Sequence, residues 1–360
     1  METAISHKFK KIIFGFFLFL TLNSKLATRN AYAQPYYSAK KGLSCAACHV
    51  NPAGGSMRRP RESSPTLIND HINLGADFRA ALSKQEANAS SGFSIPRANL
   101  YVLAEPASEI SLLYSSNQGS AFESYAMIHH RDYPIYARAG RFMVPYGLQL
   151  NDPDNSSYSR IAPFGPSVGF SMAPTQTDTG VEFGLAPKTN YFANFSMTNG
   201  AASGGADNSD AKALTGRWGV ISKPGALGAT FFRNRTSGSS GGELEQRYGI
   251  FGWTKIGPLV FLGESGWGSD TSNGLGQKTQ LQVLHGEMNY EVLPDTLLLR
   301  ARIDHLDPNV SNADDERQRY SLGSEWFLWK FMSLETQYRM IEETPASNNN
   351  EGLLITHVWF

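Results

Sequence analysis

Cys45 and Cys48 are the only two cysteines of this chain, and His49 follows the second of them directly. In the spacing Cys-x-x-Cys-His, two thiols can bond the two vinyl groups of a porphyrin while the adjacent imidazole binds its iron. The motif therefore predicts one covalent c-type haem with His49 as an axial ligand. A disulfide between Cys45 and Cys48 is the alternative, but it assigns no role to His49.

Two residues near the motif could complete the coordination of the iron. His71 precedes the first predicted strand and has the parity of an inward-facing residue, whereas Met57 follows the stretch NPAGG. A methionine ligand would raise the reduction potential relative to a second histidine. We take His71 as the first candidate, so His49 and His71 are the predicted metal ligands, and we keep Met57 as the second candidate.

Residues 1–33 have the pattern of a secretory signal peptide. Three lysines precede an apolar run over 12–22, and small residues at 31–33 supply a cleavage site. The run has about half of the ~20 residues that a membrane-spanning helix needs. Removal of this segment takes five basic residues and one acidic residue from 32 of each, and the remaining 27 basic and 31 acidic residues do not favour a nucleic-acid partner.

From residue 71 onward, apolar and polar residues alternate with period two. In the segment TLLLRARID (296–304), Leu298, Arg300, Arg302 and Asp304 share one face, and the other face is apolar. We count sixteen such segments, and the connections between them are alternately short and long. Short turns at one rim and long loops at the other are typical of outer-membrane barrels.

The sequence therefore predicts an all-β fold, a transmembrane antiparallel β-barrel of about 16 strands in the bacterial outer membrane. An even strand number returns the chain end, Phe360, to the periplasmic rim. Five tryptophans near strand ends are assigned to the aromatic girdles at the lipid boundaries: Trp253, Trp267, Trp326, Trp329 and Trp359. The long connection over 144–176 could fold inward as a constriction or bind an external partner, and the sequence does not choose between them.

Three regions follow from these patterns: the signal peptide 1–33, a haem-binding segment 34–70 and the barrel 71–360. The haem-binding segment has fewer than forty residues, which is too short to bury a core of its own. It must therefore either plug the barrel or cap its periplasmic mouth. Five other histidines have no metal-ligand spacing and are interpreted as ordinary barrel side chains: His129, His130, His285, His305 and His357.

The stretch YYSAKKGLSCAACH (36–49), followed by a barrel of porin size, resembles the fused monohaem cytochrome–porin proteins of bacterial outer membranes. These proteins are related in architecture to the outer-membrane iron oxidases. The resemblance implies movement of electrons between the outside and the periplasm through one c-type haem, and only Cys45, Cys48 and His49 match residue by residue. The VNPAGGSMR that follows (50–58) differs from the iron oxidases and argues against iron as the substrate.

Three functional hypotheses remain from the sequence. The first is an electron-transfer protein, with a possible oxidoreductase activity, that sits in outer-membrane lipid and exchanges electrons with a periplasmic c-type cytochrome or another carrier. The second is a haem-bearing porin whose main activity is solute passage. The third is a structural or adhesive barrel in which the two cysteines form a disulfide. No catalytic side chain is predicted.

Overall fold

Sixteen antiparallel strands and one short helix make up the fold. The computed structural model describes residues 35–41, 49–51, 57, 71–86, 91–148, 177–185, 190–201, 211–236, 243–271, 278–312, 315–329, 331–343 and 350–360. The cysteines of the haem motif lie outside these residues. The strand number predicted from the alternating pattern is confirmed.

The helix, α1, covers Pro35–Lys41. A proline in the first turn and lysines in the last turn both suit a helix, because proline has a preset φ and the lysine charge complements the helix dipole. The strands are β1 Ile72–Gln85, β2 Ser91–Ala107, β3 Ile110–Asn117, β4 Ser120–His129, β5 Ile135–Met143, β6 Thr177–Leu185, β7 Tyr191–Thr198, β8 Ala213–Ile221, β9 Gly225–Thr236, β10 Glu243–Ile256, β11 Leu259–Asp270, β12 Thr279–Leu293, β13 Leu297–Asp307, β14 Arg317–Trp329, β15 Met332–Glu343 and β16 Glu351–Trp359.

The sheet is closed because β1 pairs with β2 on one side and with β16 on the other. Each strand pairs with its sequence neighbours in the antiparallel sense. Beyond β16, the backbone of Phe360 exchanges two hydrogen bonds with Ala76, each 3.1 Å long. Closure leaves no sheet edge with unpaired peptide groups, which is the condition for strands to lie in hydrocarbon.

The two faces of each strand differ as the sequence pattern predicts. In β13, Leu299 and Ile303 are exposed on the outer surface, whereas Arg300, Arg302 and Asp304 are buried on the inner surface. The same alternation places large apolar side chains over the outside of most strands. An apolar outer surface on a closed barrel fits a lipid bilayer, and the barrel is a bacterial outer-membrane protein, as predicted.

The assignment of tryptophans to the lipid boundaries is correct only in part. Trp267 and Trp329 are exposed on the outer surface, but Trp253 and Trp359 are buried on the inner surface. They share strand parity with Phe251 and His357, which also face inward. A position near a strand end did not reveal the face of the side chain, which the parity of the strand determines. Among the described residues, none of the helical segments is long and apolar enough to cross a membrane.

Candidate functional site in the barrel lumen

Helix α1 lies inside the barrel, against the inner surface of β10 and β11. Tyr36 and Ala39 are buried in a cluster with inward-facing residues of several strands: Leu148, Phe192, Ile221, Phe251, Trp253, Val260, Leu262, Leu298, Phe327 and Trp359. Porin interiors are usually polar. An apolar inner wall at this end of the barrel therefore gives the N-terminal segment a surface to bury its own apolar side chains.

Lys40 attaches α1 to the rim of short turns, which we call the periplasmic rim. Its Nζ donates to Glu291 Oε1 at 2.7 Å and to Asp295 Oδ1 at 2.9 Å, in the turn region between β12 and β13. Burial opposes the charge of Lys40, but the hydrogen bonds and the attraction to Glu291 and Asp295 outweigh it and raise its pKa. The ion pairs are therefore complete at neutral pH.

Replacement of Lys40 by methionine should loosen α1 while keeping most of its apolar stem. The two carboxylates are only partly exposed, so the packing of α1 on the wall should lose roughly 1 kcal/mol of free energy. The backbone amides of 35–41 should then exchange about fivefold faster. Hydrogen–deuterium exchange of the full-length protein measures this rate. The pKa of Lys40 is raised in the folded protein. The stabilisation of α1 by its ion pairs should therefore be fully present below the pKa of Lys40 in the unfolded chain, and be lost only as the pH rises through the pKa in the folded protein.

Lys41 supplies the matched control for this experiment because it lies on the same helix and is exposed. A Lys41→Met variant should exchange at the wild-type rate. Equal acceleration in both variants would assign the effect to the loss of helix-terminal charge rather than to the contacts with Glu291 and Asp295.

The residues after the haem motif also lie inside the barrel. Val50, Asn51 and Met57 are nearly fully buried, and His49 is half-buried. The backbone N–H of Val50 donates to the carbonyl of Met57 at 3.0 Å, which holds these two residues together. Val50 and Met57 pack in a cluster with inward-facing residues of β2 to β5: Tyr101, Leu103, Leu113, Tyr125, Met127, Tyr136 and Phe142.

His71 lies apart from this cluster. It stands immediately before β1, is exposed, and its ring Nδ1 is 3.0 Å from the carbonyl oxygen of Glu105 at the periplasmic rim. The structure thus brings Val50, the residue after His49, together with Met57 on one wall and leaves His71 at the periplasmic rim. The iron-ligand role of His71 stays a prediction.

A buried polar network adjoins the cluster, and the sequence analysis did not identify it. Arg138 donates to Glu182 Oε2 at 2.6 Å and to the carbonyl of Met143 at 3.2 Å, and Tyr136 donates to the same Glu182 carboxylate. The Arg138 guanidinium also lies 4.2 Å from the centre of the Phe142 ring. The signal available in the sequence was the inward parity of positions 136 and 138 in β5.

The wall formed by β12 to β16 carries arginines and carboxylates that pair with one another. Arg300 is the centre: its guanidinium donates to Glu335 at 3.1 Å, to Glu325 at 3.2 Å and to Asn289 at 3.1 Å. Further ion pairs lie beside this centre on the inner surface: Arg302 with Glu287, Arg319 with Asp304, Arg339 with Glu351, and His285 with Asp304. Polar walls of this kind suit a water-containing lumen.

The chain that leaves β5 turns into the lumen. Val144, Tyr146 and Leu148 are buried on inward-facing residues of the opposite wall. The Leu148 N–H donates to Glu264 Oε2 at 3.0 Å, and the Gly147 N–H donates to Thr230 Oγ1 at 3.4 Å. Of the two sequence alternatives for this connection, inward folding is what its first residues show.

Gly147 is required at this inward turn. Its φ is +55°, which favours glycine, and a Cβ at this position would lie 2.1 Å from Glu264 Oε1. The absence of a side chain thus lets the backbone approach the wall closely enough for the adjacent amide to reach Glu264. We call residues 144–148 the inward segment.

The described residues around His49 are compatible with a porphyrin. His49 supplies an imidazole directly before Val50, and Val50 packs on an apolar and aromatic wall that suits a large planar apolar group. In the part of the chain that the structure describes, no group of three or more His, Cys, Asp or Glu side chains is arranged to hold a metal ion.

Comparisons with known proteins give the fold. No family model and no curated protein matches the chain. Among solved structures, it is similar to OmpT of Vibrio cholerae, with 12% identity, a TM-score of 0.61 and coverage of 82% of this chain and 100% of that one. The anion-selective porin from Comamonas acidovorans has 10% identity, a TM-score of 0.60 and coverage of 80% and 99%. The channel DcaP of Acinetobacter baumannii has 12% identity, a TM-score of 0.56 and coverage of 80% and 97%. This chain therefore has the 16-stranded fold of outer-membrane porins.

Proposed function

We propose that the protein is an outer-membrane porin whose main activity is the passage of small polar solutes, and that it carries one covalent c-type haem in its lumen. The observation that best supports solute passage as the activity is the position of the inward segment 144–148. It narrows the barrel between the wall of β5 and the wall of β9 to β11, where its backbone is hydrogen bonded to Thr230 and Glu264.

The chemistry of the lumen supports this proposal. A barrel of sixteen strands is wide enough to enclose water, and β12 to β16 line its inner surface with ion-paired arginines and carboxylates. A narrowed, polar lumen sorts solutes by size.

The haem belongs to this proposal through Cys45, Cys48 and His49. The two thiols would bond the porphyrin and His49 would bind the iron. Bound there, the group supplies one-electron redox chemistry. The apolar wall formed by Tyr101, Leu103 and neighbouring side chains would exclude water from its face.

Conductance of the purified protein in planar lipid bilayers tests solute passage, together with liposome swelling in uncharged sugars of graded size. We expect discrete channels and swelling that falls as the sugar becomes larger. A protein that inserts into the bilayer, yet shows neither conductance nor swelling, would contradict the porin assignment.

Glu264 gives a sharper test of the inward segment. In Glu264→Ala the Leu148 amide loses a charged acceptor, which is worth roughly 1.5–3 kcal/mol. The inward position should then be more than about tenfold less populated, and single-channel conductance should increase and become noisier. Glu264→Gln keeps an acceptor oxygen and should stay near the wild-type conductance. Wild-type behaviour of Glu264→Ala would show that the segment does not control the pore.

Electron transfer is the second candidate function, and one observation favours it. Met57 lies against β1 next to the carbonyl of Phe360, so the residues after the haem motif are at the periplasmic end of the barrel. A redox group held by His49 would be accessible to a soluble periplasmic carrier. Reduction of the liposome-bound protein by a c-type cytochrome tests this function, and failure with several carriers would count against it.

A further inference from the structure

Gly75 leaves a notch in the inner wall of the barrel. It shares strand parity with the buried Asn73, and it lies between β2 and the chain end after β16. A Cβ built at Gly75 would be 3.2 Å from the carbonyl oxygen of Phe360 and 3.6 Å from the Tyr101 ring. The third neighbour is Met57, whose Cε would be only 3.4 Å away. The end of the Met57 side chain therefore occupies the space that a larger residue would fill.

Both the side chain and the backbone of Met57 make contacts that fix its position. Its side chain is 4% exposed and packs with Tyr101 and Leu103 on the wall. Its carbonyl accepts the N–H of Val50, the residue directly after His49. A shift of Met57 must therefore move the residue next to His49, so the position of Met57 on the wall fixes the position of the motif.

This arrangement does not suit an iron ligand. A methionine that served as an iron ligand would need its sulfur free to bind the iron. The Met57 backbone is instead hydrogen bonded to the residue beside His49, and its thioether end is directed into the notch at Gly75.

We propose that Met57 is a positioning residue rather than an iron ligand, and that its seat over Gly75 holds the haem motif inside the barrel. The haem part of this inference rests on the proposed function. The anchoring part concerns the apolar contact between Met57 and the wall, and it holds for the protein with or without the cofactor.

Limited trypsin cleavage after Arg58, in full-length protein reconstituted in lipid, measures the anchoring. Met57→Ala should be cleaved roughly thirtyfold faster than wild type, the lower end of what truncation of a buried methionine gives. Gly75→Val leaves Met57 itself unchanged but fills the notch that its side chain occupies, and should also accelerate cleavage. The matched control is Gly263→Val on the outer surface of β11, where a Cβ would meet only the His285 carbonyl at 3.7 Å.

The same cleavage is repeated in the Cys45→Ser/Cys48→Ser background, in which no haem can be attached. Anchoring through the wall predicts the same acceleration by Met57→Ala there. Unchanged cleavage in Met57→Ala and Gly75→Val, with both barrels folded by heat-modified gel mobility, would overturn the inference. A wild-type chain without haem stain would instead contradict the proposed cofactor and leave the cleavage result to decide the anchor.

Spectra of the ferric protein separate anchor from ligand. The wild type should lack the sulfur-to-iron charge-transfer band of methionine-ligated haem, and Met57→Leu should keep the wild-type spectrum and reduction potential. A charge-transfer band that disappears in Met57→Leu would identify Met57 as the sixth ligand and refute its role as an anchor alone.

Discussion

Simultaneous replacement of Cys45 and Cys48 by serine is expected to give a barrel that folds and inserts but carries no haem. With both thiols removed, no thioether bond to the porphyrin can form, so the loss should be complete rather than graded. The barrel should survive because its closure depends on the pairing of β1 with β16 and β2, which involves neither cysteine. Haem-dependent peroxidase staining of denatured protein, compared with a reduced-minus-oxidised spectrum of outer-membrane fractions, measures the outcome.

The single variants and the thiol state complete this experiment. Cys45→Ser and Cys48→Ser alone should each lower the yield of stained protein, since each removes one thioether bond. The disulfide alternative makes the opposite prediction for the wild type: no stain, and two thiols that react with maleimide only after reduction. A stain-free wild type with reducible thiols would remove the haem from the proposed function while leaving the porin intact.

The barrel was predictable because the residue types on both faces of each strand are constrained, by the lipid on the outside and by the polar lumen on the inside. In β15 the alternation of Leu334, Thr336 and Tyr338 with Glu335 and Gln337 specifies both faces, and the structure has the inward set buried. The number of predicted strands agrees with the number observed for the same reason. Period-two patterning carries this information without any tertiary contact.

The contents of the lumen could not be derived in the same way. Helix α1 and Met57 pack on wall residues that are distant in sequence, such as Trp253 and Tyr101, and such pairs leave no periodic signal. The sequence left two choices for the N-terminal segment, plug or cap. The described residues of this segment, including Tyr36, lie inside the barrel, where they bury apolar surface that a cap would expose.

The inward-facing tryptophans show the same limit. Trp253 was assigned to a lipid boundary from its place near the end of β10, yet it is buried in the apolar lumen wall beside α1. The parity of β10 would have found this face, because Phe251 and Trp253 alternate with the outward-facing Ile250. Residue type and position near a strand end cannot separate a tryptophan that covers an N-terminal helix from one that anchors lipid, whereas strand parity can.

Replacement of Arg300 by methionine is expected to be the most destabilising change in the charged lumen wall. Its guanidinium is 8% exposed and contacts three carboxylates, those of Glu287, Glu325 and Glu335. Loss of one partner from a buried ionic group leaves the others uncompensated, at about 3–5 kcal/mol. Urea unfolding of the lipid-reconstituted barrel, followed by heat-modified gel mobility, should show this loss in the free energy of unfolding.

Arg131→Met is the matched control, because it is the same arginine-to-methionine substitution at an exposed site. Its side chain is 81% exposed at a periplasmic turn, 3.9 Å from Glu109, and such surface pairs contribute little. Arg131→Met should therefore unfold at the wild-type urea concentration. Equal destabilisation by both variants would show that the loss of any arginine, rather than the buried ionic centre, is responsible.

The charge argument for Arg300 also predicts a rescue. In Arg300→Met, the negative charge of Glu325 and Glu335 is the cause of the instability, so its removal should restore part of the lost free energy. Glu325→Gln in the Arg300→Met background should therefore be more stable than Arg300→Met alone, although Glu325→Gln in the wild type removes a favourable contact. A deficit that is independent of Glu325 would mean that Arg300 acts by filling space, and the lumen wall would then owe its stability to packing rather than to its ion pairs.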